Sequence, residues 1–93
     1  MMQTVLVTGA SSGIGKATAL LLQREGFTVF GTTRRPDAVG AQAFPMLALD
    51  VRSDASVKEC FDALFAKVDH LDVLIDNAGY ALTGAASSWL GEP

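Results

Sequence analysis

The stretch Thr8-Gly9-Ala10-Ser11-Ser12-Gly13-Ile14-Gly15 restricts the fold of this chain more than any other. It lies where an apolar, β-branched run (Thr4 to Thr8) stops and a helix-forming run (Lys16 to Glu25) begins. The pattern predicts a strand, a glycine turn and a helix N-terminus. Glycines carry no Cβ, so backbone N–H groups can crowd toward one point, and the first-turn amides and the helix dipole add positive potential there. The expected result is an anion site that a phosphate fits.

The spacing is TGxxxGxG rather than the commoner dinucleotide fingerprint GxGxxG, so its context has to decide. It follows a strand, opens a helix and begins a βαβ unit, the setting in which a glycine pattern points to a nucleotide. The alternative is an ordinary tight turn between strand and helix. The phosphate loop of nucleoside triphosphatases is a nearer rival because of Gly15-Lys16. It fails at two positions: its first glycine is Ala10 here, and the hydroxyl residue after its lysine is Ala17.

The rest of the chain alternates strands with helices. Gln3 to Thr8 has no polar alternation, as expected of a strand covered on both faces. Lys16 to Glu25 reads as a helix with Ile14, Ala17 and Leu21 at apolar spacing and Gly26 as terminator. Phe27 to Thr32 is a second strand that ends at Thr33-Arg34-Arg35-Pro36, and Asp37 to Phe44 is a loop or a single helical turn. Met46 to Leu49 is a third strand ending at Asp50. Ser53 or Ser56 caps a helix whose apolar positions are Val57, Cys60, Phe61, Leu64, Phe65 and Val68. Leu71 to Ile75 is a fourth strand, closed by Asp76-Asn77-Ala78-Gly79. The expected architecture is α/β, an incomplete Rossmann-type parallel sheet with flanking helices, with its ligand crevice at the carboxyl ends of the strands. Residues 1–84 form this partial domain, and 85–93, with Trp89, form a loose tail without period or cap.

Side chains at the strand ends refine the ligand. An acidic residue about 20 positions beyond the glycines would hold a ribose 2′-hydroxyl. Thr33 stands there, followed by Arg34 and Arg35, and a guanidinium can grip a 2′-phosphate bidentately, so NADP is favoured over NAD. Arg34 is the stronger candidate; the alternative is a pair of solvated loop arginines, and Asp37 is displaced from the strand end by Pro36. Asp50 can accept from an adenine amino group while Val51 packs on the ring, or it can cap the next helix. Asn77 can satisfy backbone groups at the end of a buried strand or form a simple turn, and Ala78-Gly79 lets a flat cofactor approach. Met46, Phe61, Phe65 and Cys60 read as core, and His70 as a complement to a helix C-terminus.

Composition excludes other classes. Seven Lys and Arg stand against ten Asp and Glu, a net charge of −3, which argues against a sequence-independent grip on nucleic acid. The start has no basic region, and Val5 to Val7 is too short for a signal sequence or membrane span, so a cytoplasmic protein is expected. One cysteine and one histidine cannot build a zinc site.

Thr8-Gly9-Ala10-Ser11-Ser12-Gly13-Ile14-Gly15, then Asp50-Val51, then Asn77-Ala78-Gly79, in this order and at these separations, resemble the short-chain dehydrogenase/reductase family. The resemblance covers residues 3 to about 84, and Arg34 stands where NADP-preferring members carry a basic residue. It implies that Gly9, Ser11, Ser12, Gly13, Ile14 and Gly15 line the adenosine ribose and pyrophosphate and that Arg34, with Arg35, meets the 2′-phosphate. It further implies that Asp50 and Val51 flank adenine and that Asn77, Ala78 and Gly79 run toward the nicotinamide. Asp76 departs from the usual asparagine, a nearly isosteric change with a modest expected effect.

Family members interconvert a carbonyl and an alcohol on a small molecule by hydride transfer, using a serine, a tyrosine and a lysine four residues after it. That set is missing: the single tyrosine is Tyr80, and the fourth residue after it is Gly84. The chain therefore reads as the amino-terminal cofactor-binding part of such an oxidoreductase, expected to be inactive alone. The alternatives are a non-catalytic dinucleotide-binding module and a truncated or frameshifted relic. A fourth strand with an unpaired edge and poorly covered faces is expected to aggregate or to pair with another chain.

Overall fold

A computed structural model of the chain describes residues 3–38 and 42–77. Four strands, β1 (Thr4–Val7), β2 (Thr28–Thr33), β3 (Met46–Ala48) and β4 (Val73–Ile75), form one parallel sheet in the order β3-β2-β1-β4. Helix α1 (Gly13–Arg24) connects β1 to β2, and helix α2 (Asp54–Phe65) connects β3 to β4. Among the described residues, the link between β2 and β3 contains a 3-10 turn, Pro36–Ala38, where a regular βαβ unit has a full helix. Pro36 sets the backbone for such a turn but stops β2 from continuing.

Each face of the sheet has its own core, which explains the missing polar alternation. Val5, Val7 and Val29 pack with Ala10, Ala19 and Phe44 on the α1 side. Leu6, Phe30, Leu47 and Leu49 pack with Val57, Cys60, Phe61 and Leu64 of α2 on the other. The sequential strands β1, β2 and β3 run toward one edge, and the crossover through α2 returns to the far side of β1. The sheet therefore reverses its winding between β1 and β4, and in open α/β sheets ligands bind outside the carboxyl ends at such a reversal. Pairing places Val5 opposite Val73 and Val7 opposite Ile75.

Several local expectations need correction. Helix α1 begins at Gly13, because the Lys16 amide already donates to the Ser12 carbonyl at 3.3 Å and the glycines form the opening turn. Its buried stripe is Gly15 and Ala19, not Ile14, Ala17 and Leu21; Ile14 is 78% and Leu21 53% exposed. Gly15 sets that rotation by lying directly on the Gly9 carbonyl, where any Cβ would overlap it. Strand β2 runs one residue further than expected, to Thr33, and β4 begins only at Val73. Phe65 ends α2 at the rim of the core, 38% exposed, with its ring stacked on Phe61 at 6.2 Å. His70 lies beyond α2 and pairs with the Asp72 carboxylate at 3.0 Å, so it does not complement a helix terminus. That carboxylate also accepts the Thr4 amide at 2.7 Å, which ties the starts of β1 and β4 together.

Candidate functional site

The loop after β1 is shaped by its glycines. Gly9 and Gly13 adopt φ of 65° and 60°, a left-handed conformation that side-chain-bearing residues resist. Gly9 and Ala10 direct their amides inward, to the Thr32 hydroxyl at 3.3 Å and the Thr32 carbonyl at 2.9 Å. Those two amides hold the loop against β2. The amides from Ser11 to Ile14 find no acceptor among the described residues.

The two helix N-termini differ in a way that bears on this. In α2 the Ser53 hydroxyl accepts the Ser56 amide at 3.2 Å, and Asp54 adds a negative charge to the first turn. The positive end of that dipole is already answered. In α1 the N-cap residue Ser12 makes no side-chain capping bond, and the first turn holds no acid. Unanswered amides and an uncompensated dipole make a cradle suited to a phosphate.

Beside the cradle lies a cavity of about 480 Å³, lined by Gly9 and Ser11 from the β1 loop, Thr32, Thr33 and Arg34 from β2, and Leu49, Asp50, Val51 and Arg52 after β3. It brings together five residues named from the sequence: Gly9, Ser11, Arg34, Asp50 and Val51. Arg34 is exposed on its rim, while Arg35 is exposed but does not line it. Asp50 does not cap α2; Ser53 does, and Asp50 instead receives the Arg52 amide at 3.0 Å and the Arg52 guanidinium at 3.3 Å. Those two bonds from Arg52, with the positive field of Arg34, hold the Asp50 carboxyl below the usual carboxylate range. Thr32 and Arg52 escaped the sequence reading. Arg52 stands only two residues after Asp50, close enough for a local ion pair, and that spacing was its one available signal.

Just after β4, Asn77 bridges that strand and the β1 loop. Its amide donates to the Thr8 hydroxyl at 2.9 Å, and its Nδ2 reaches the Gly9 carbonyl at 3.4 Å. Thr8 in turn donates to Asp76 Oδ1 at 3.2 Å, a role an asparagine oxygen would fill equally. Asn77 thus serves as a strap on the glycine loop. Ala78 and Gly79 lie outside the described residues, as do Tyr80, Trp89 and the tail. Cys60 is buried against the sheet, and burial pushes its thiol up to about 11, so it remains a protonated core group. No cluster of metal-ligating side chains occurs among the described residues, and none of their helices is long and apolar enough to cross a membrane.

Residues 3–90 match the family model described as short chain dehydrogenase. The chain belongs to the short-chain dehydrogenase family. It is similar to a 3-ketodihydrosphingosine reductase of Bacteroides thetaiotaomicron, with 42% identity over 84 residues covering 89% of this chain and 30% of that protein. A serine 3-dehydrogenase of Agrobacterium fabrum is 39% identical over 88 residues, covering 88% of this chain and 35% of that one. Among solved structures, the aldohexose dehydrogenase of Thermoplasma acidophilum superposes with a TM-score of 0.74 at 32% identity, covering 82% of this chain and 29% of that one. The chain thus spans about a third of the length of these short-chain dehydrogenases. Family and Rossmann-type sheet together imply a nicotinamide dinucleotide, NAD or NADP. The open amides and the cavity between Arg34 and Asp50 fit that group in charge and shape.

Proposed function

We propose that this segment is the NADP(H)-binding portion of an enzyme that interconverts a carbonyl and an alcohol on a small molecule. The observation that carries the cofactor preference is Arg34: it stands on the cavity rim at the end of β2, without a carboxylate in the position that would grip a ribose diol. In this reading the amides of Ser11, Ser12, Gly13 and Ile14 take the pyrophosphate, and Gly15 lets α1 seat closely on Gly9. Arg34 takes the 2′-phosphate, with Arg35 adding field from outside the cavity. Asp50 and Val51 flank the adenine, and Asn77, Ala78 and Gly79 run toward the nicotinamide. The bound dinucleotide would supply or accept hydride; no residue of this stretch is assigned to proton transfer. Residues 1–84 act as the binding unit, the location is cytoplasmic, and the outer edge of β4 is a self-association surface.

The test compares NADPH with NADH. A charge-assisted contact between guanidinium and phosphate contributes roughly 1.5–3 kcal/mol, so Arg34→Ala should weaken NADPH about 10- to 100-fold and leave NADH within about twofold. Calorimetric titration of both cofactors reads this directly. Equal losses for the two would remove the phosphate assignment.

A further inference from the structure

The large apolar side chains left exposed among the described residues are Ile14, Leu21, Phe65 and Val73, and all but Phe65 border one groove. Its floor is β4. Leu74 packs with the α2-side core and Ile75 with the α1-side core, so Val73, two residues before Ile75, also faces the α1 side. On that side α1 packs over β1 and β2, with Ala19 against Val5, Val7 and Val29. The wall of the groove is a flank of α1. Gln23 donates its side-chain amide to the Ala43 carbonyl, just before β3, which marks the flank that faces β3. At about 100° per residue, Leu21 and Ile14 lie about 160° and 180° from Gln23, hence toward β4 in the order β3-β2-β1-β4. Ala17 points outward, opposite the buried Gly15 and Ala19, and Thr18 faces β4, so Ile14 and Leu21 project between these two directions.

Neighbouring helices pack about 8–10 Å apart, which is about two strand spacings, so the open helix position on this face lies above β4. We propose that a second copy of this chain fills it: two copies pack face to face about a two-fold axis parallel to α1, each laying its α1 on the bare face of the other's β4. Ala17, Leu21 and Ile14 of one copy then cover the partner's Val73 and Ile75, and the two α1 helices run side by side with Thr18 against the partner's Thr18. One patch supplies both the helix and its seat, which is what an isologous dimer requires. Charge fits as well. The axis keeps the strand starts level, so Arg24, exposed in the last turn of α1 about 20° from Ala17, comes over the start of the partner's β4, where the Asp72 carboxylate is partly exposed. Pairing through the outer edges of β4 would leave the groove bare, because it sets the two α1 axes about four strand spacings, roughly 19 Å, apart.

The patch is small, so the dimer is expected to be weak, with a Kd of roughly 10–100 μM. Sedimentation velocity of the full chain across that range reads it. Leu21 is 53% exposed in a single copy, so Leu21→Lys leaves the fold intact and should weaken the dimer at least about tenfold by setting an ammonium on the partner's apolar floor. Arg24→Glu should weaken it about two- to fivefold. Geometry is read by Thr18→Cys. Parallel helices with axes about 10 Å apart bring facing Cα atoms to about 5 Å, within the span of a disulfide, so mild oxidation should couple two copies covalently. Cys60 is buried and leaves the introduced thiol as the one that reacts. Adding Leu21→Lys to Thr18→Cys should suppress the coupling. A Leu21→Lys chain that dimerises like the unaltered one overturns the proposal, and so does a Thr18→Cys chain that shows the dimer mass yet stays uncoupled, the result expected of edge pairing. A chain that is monomeric throughout the range overturns it too, and none of these results bears on the dinucleotide reading.

Discussion

Single residues divide here into those whose role is local and those whose role depends on a distant partner. Arg34 and Asp50 were recognisable because a guanidinium and a carboxylate at strand ends have few purposes apart from solvation. Thr32 was not, because its hydroxyl matters only after β2 has been laid beside the β1 loop and can take the Gly9 amide at 3.3 Å. Cys60 illustrates the purely structural case. Its thiol titrates near 11 in the folded chain against 9.0 for a free cysteine, so the unfolded state loses the proton first. Stability from this group is fully present below pH 9 and is lost as pH rises through 11, once the folded thiol also ionises. Urea unfolding across that range should show an alkaline decline that Cys60→Ala lacks. A thiol reagent at pH 8 should leave the native chain unmodified and react after unfolding.

At the scale of elements, the two helices carry opposite instructions at their N-termini. Ser53 closes the start of α2 with a side-chain bond, whereas Ser12 leaves the start of α1 open. Ser53→Ala should therefore cost about 1 kcal/mol of stability in urea unfolding. Ser12→Ala should cost less than about 0.5 kcal/mol, because no capping bond is lost. Equal costs would mean that Ser12 caps α1 after all, and the open cradle would lose its support. The rotation of α1 teaches a related lesson. Apolar spacing at Ile14, Ala17 and Leu21 pointed to a buried stripe, but contact between Gly15 and the Gly9 carbonyl turns Gly15 and Ala19 inward. Periodicity counts apolar side chains and cannot register a glycine whose value lies in having none.

For the molecule as a whole, the sheet ends in a strand that pairs on one side only among the described residues. β4 hydrogen-bonds to β1, Val73 is 38% exposed, and Leu74 and Ile75 are half-buried on opposite faces. Such an edge presents open backbone donors and acceptors together with apolar surface, a template for a further strand. The expected outcome in sedimentation velocity is a mass that rises with concentration. Val73→Lys, which places a charge on that edge, should hold the chain monomeric; an undiminished rise would locate the contact elsewhere. Ile14 and Leu21 of α1 are also exposed apolar side chains.

The amino-acid sequence by itself determined the order of strands and helices, the cradle after β1 and the side chains at the strand ends. These follow from short-range rules: β-branched runs extend, glycines turn, and a helix start attracts anions whatever surrounds it. Tertiary structure decided which residues share a site. Gly9, Arg34 and Asp50 lie far apart along the chain and meet only because parallel pairing brings the carboxyl ends of β1, β2 and β3 to one side of the sheet. It also decided which face of α1 is buried, what His70 touches, and that Arg52 holds Asp50 by one oxygen. Each of these is settled by a backbone approach or a side-chain rotation between neighbours, quantities that spacing along a chain does not encode.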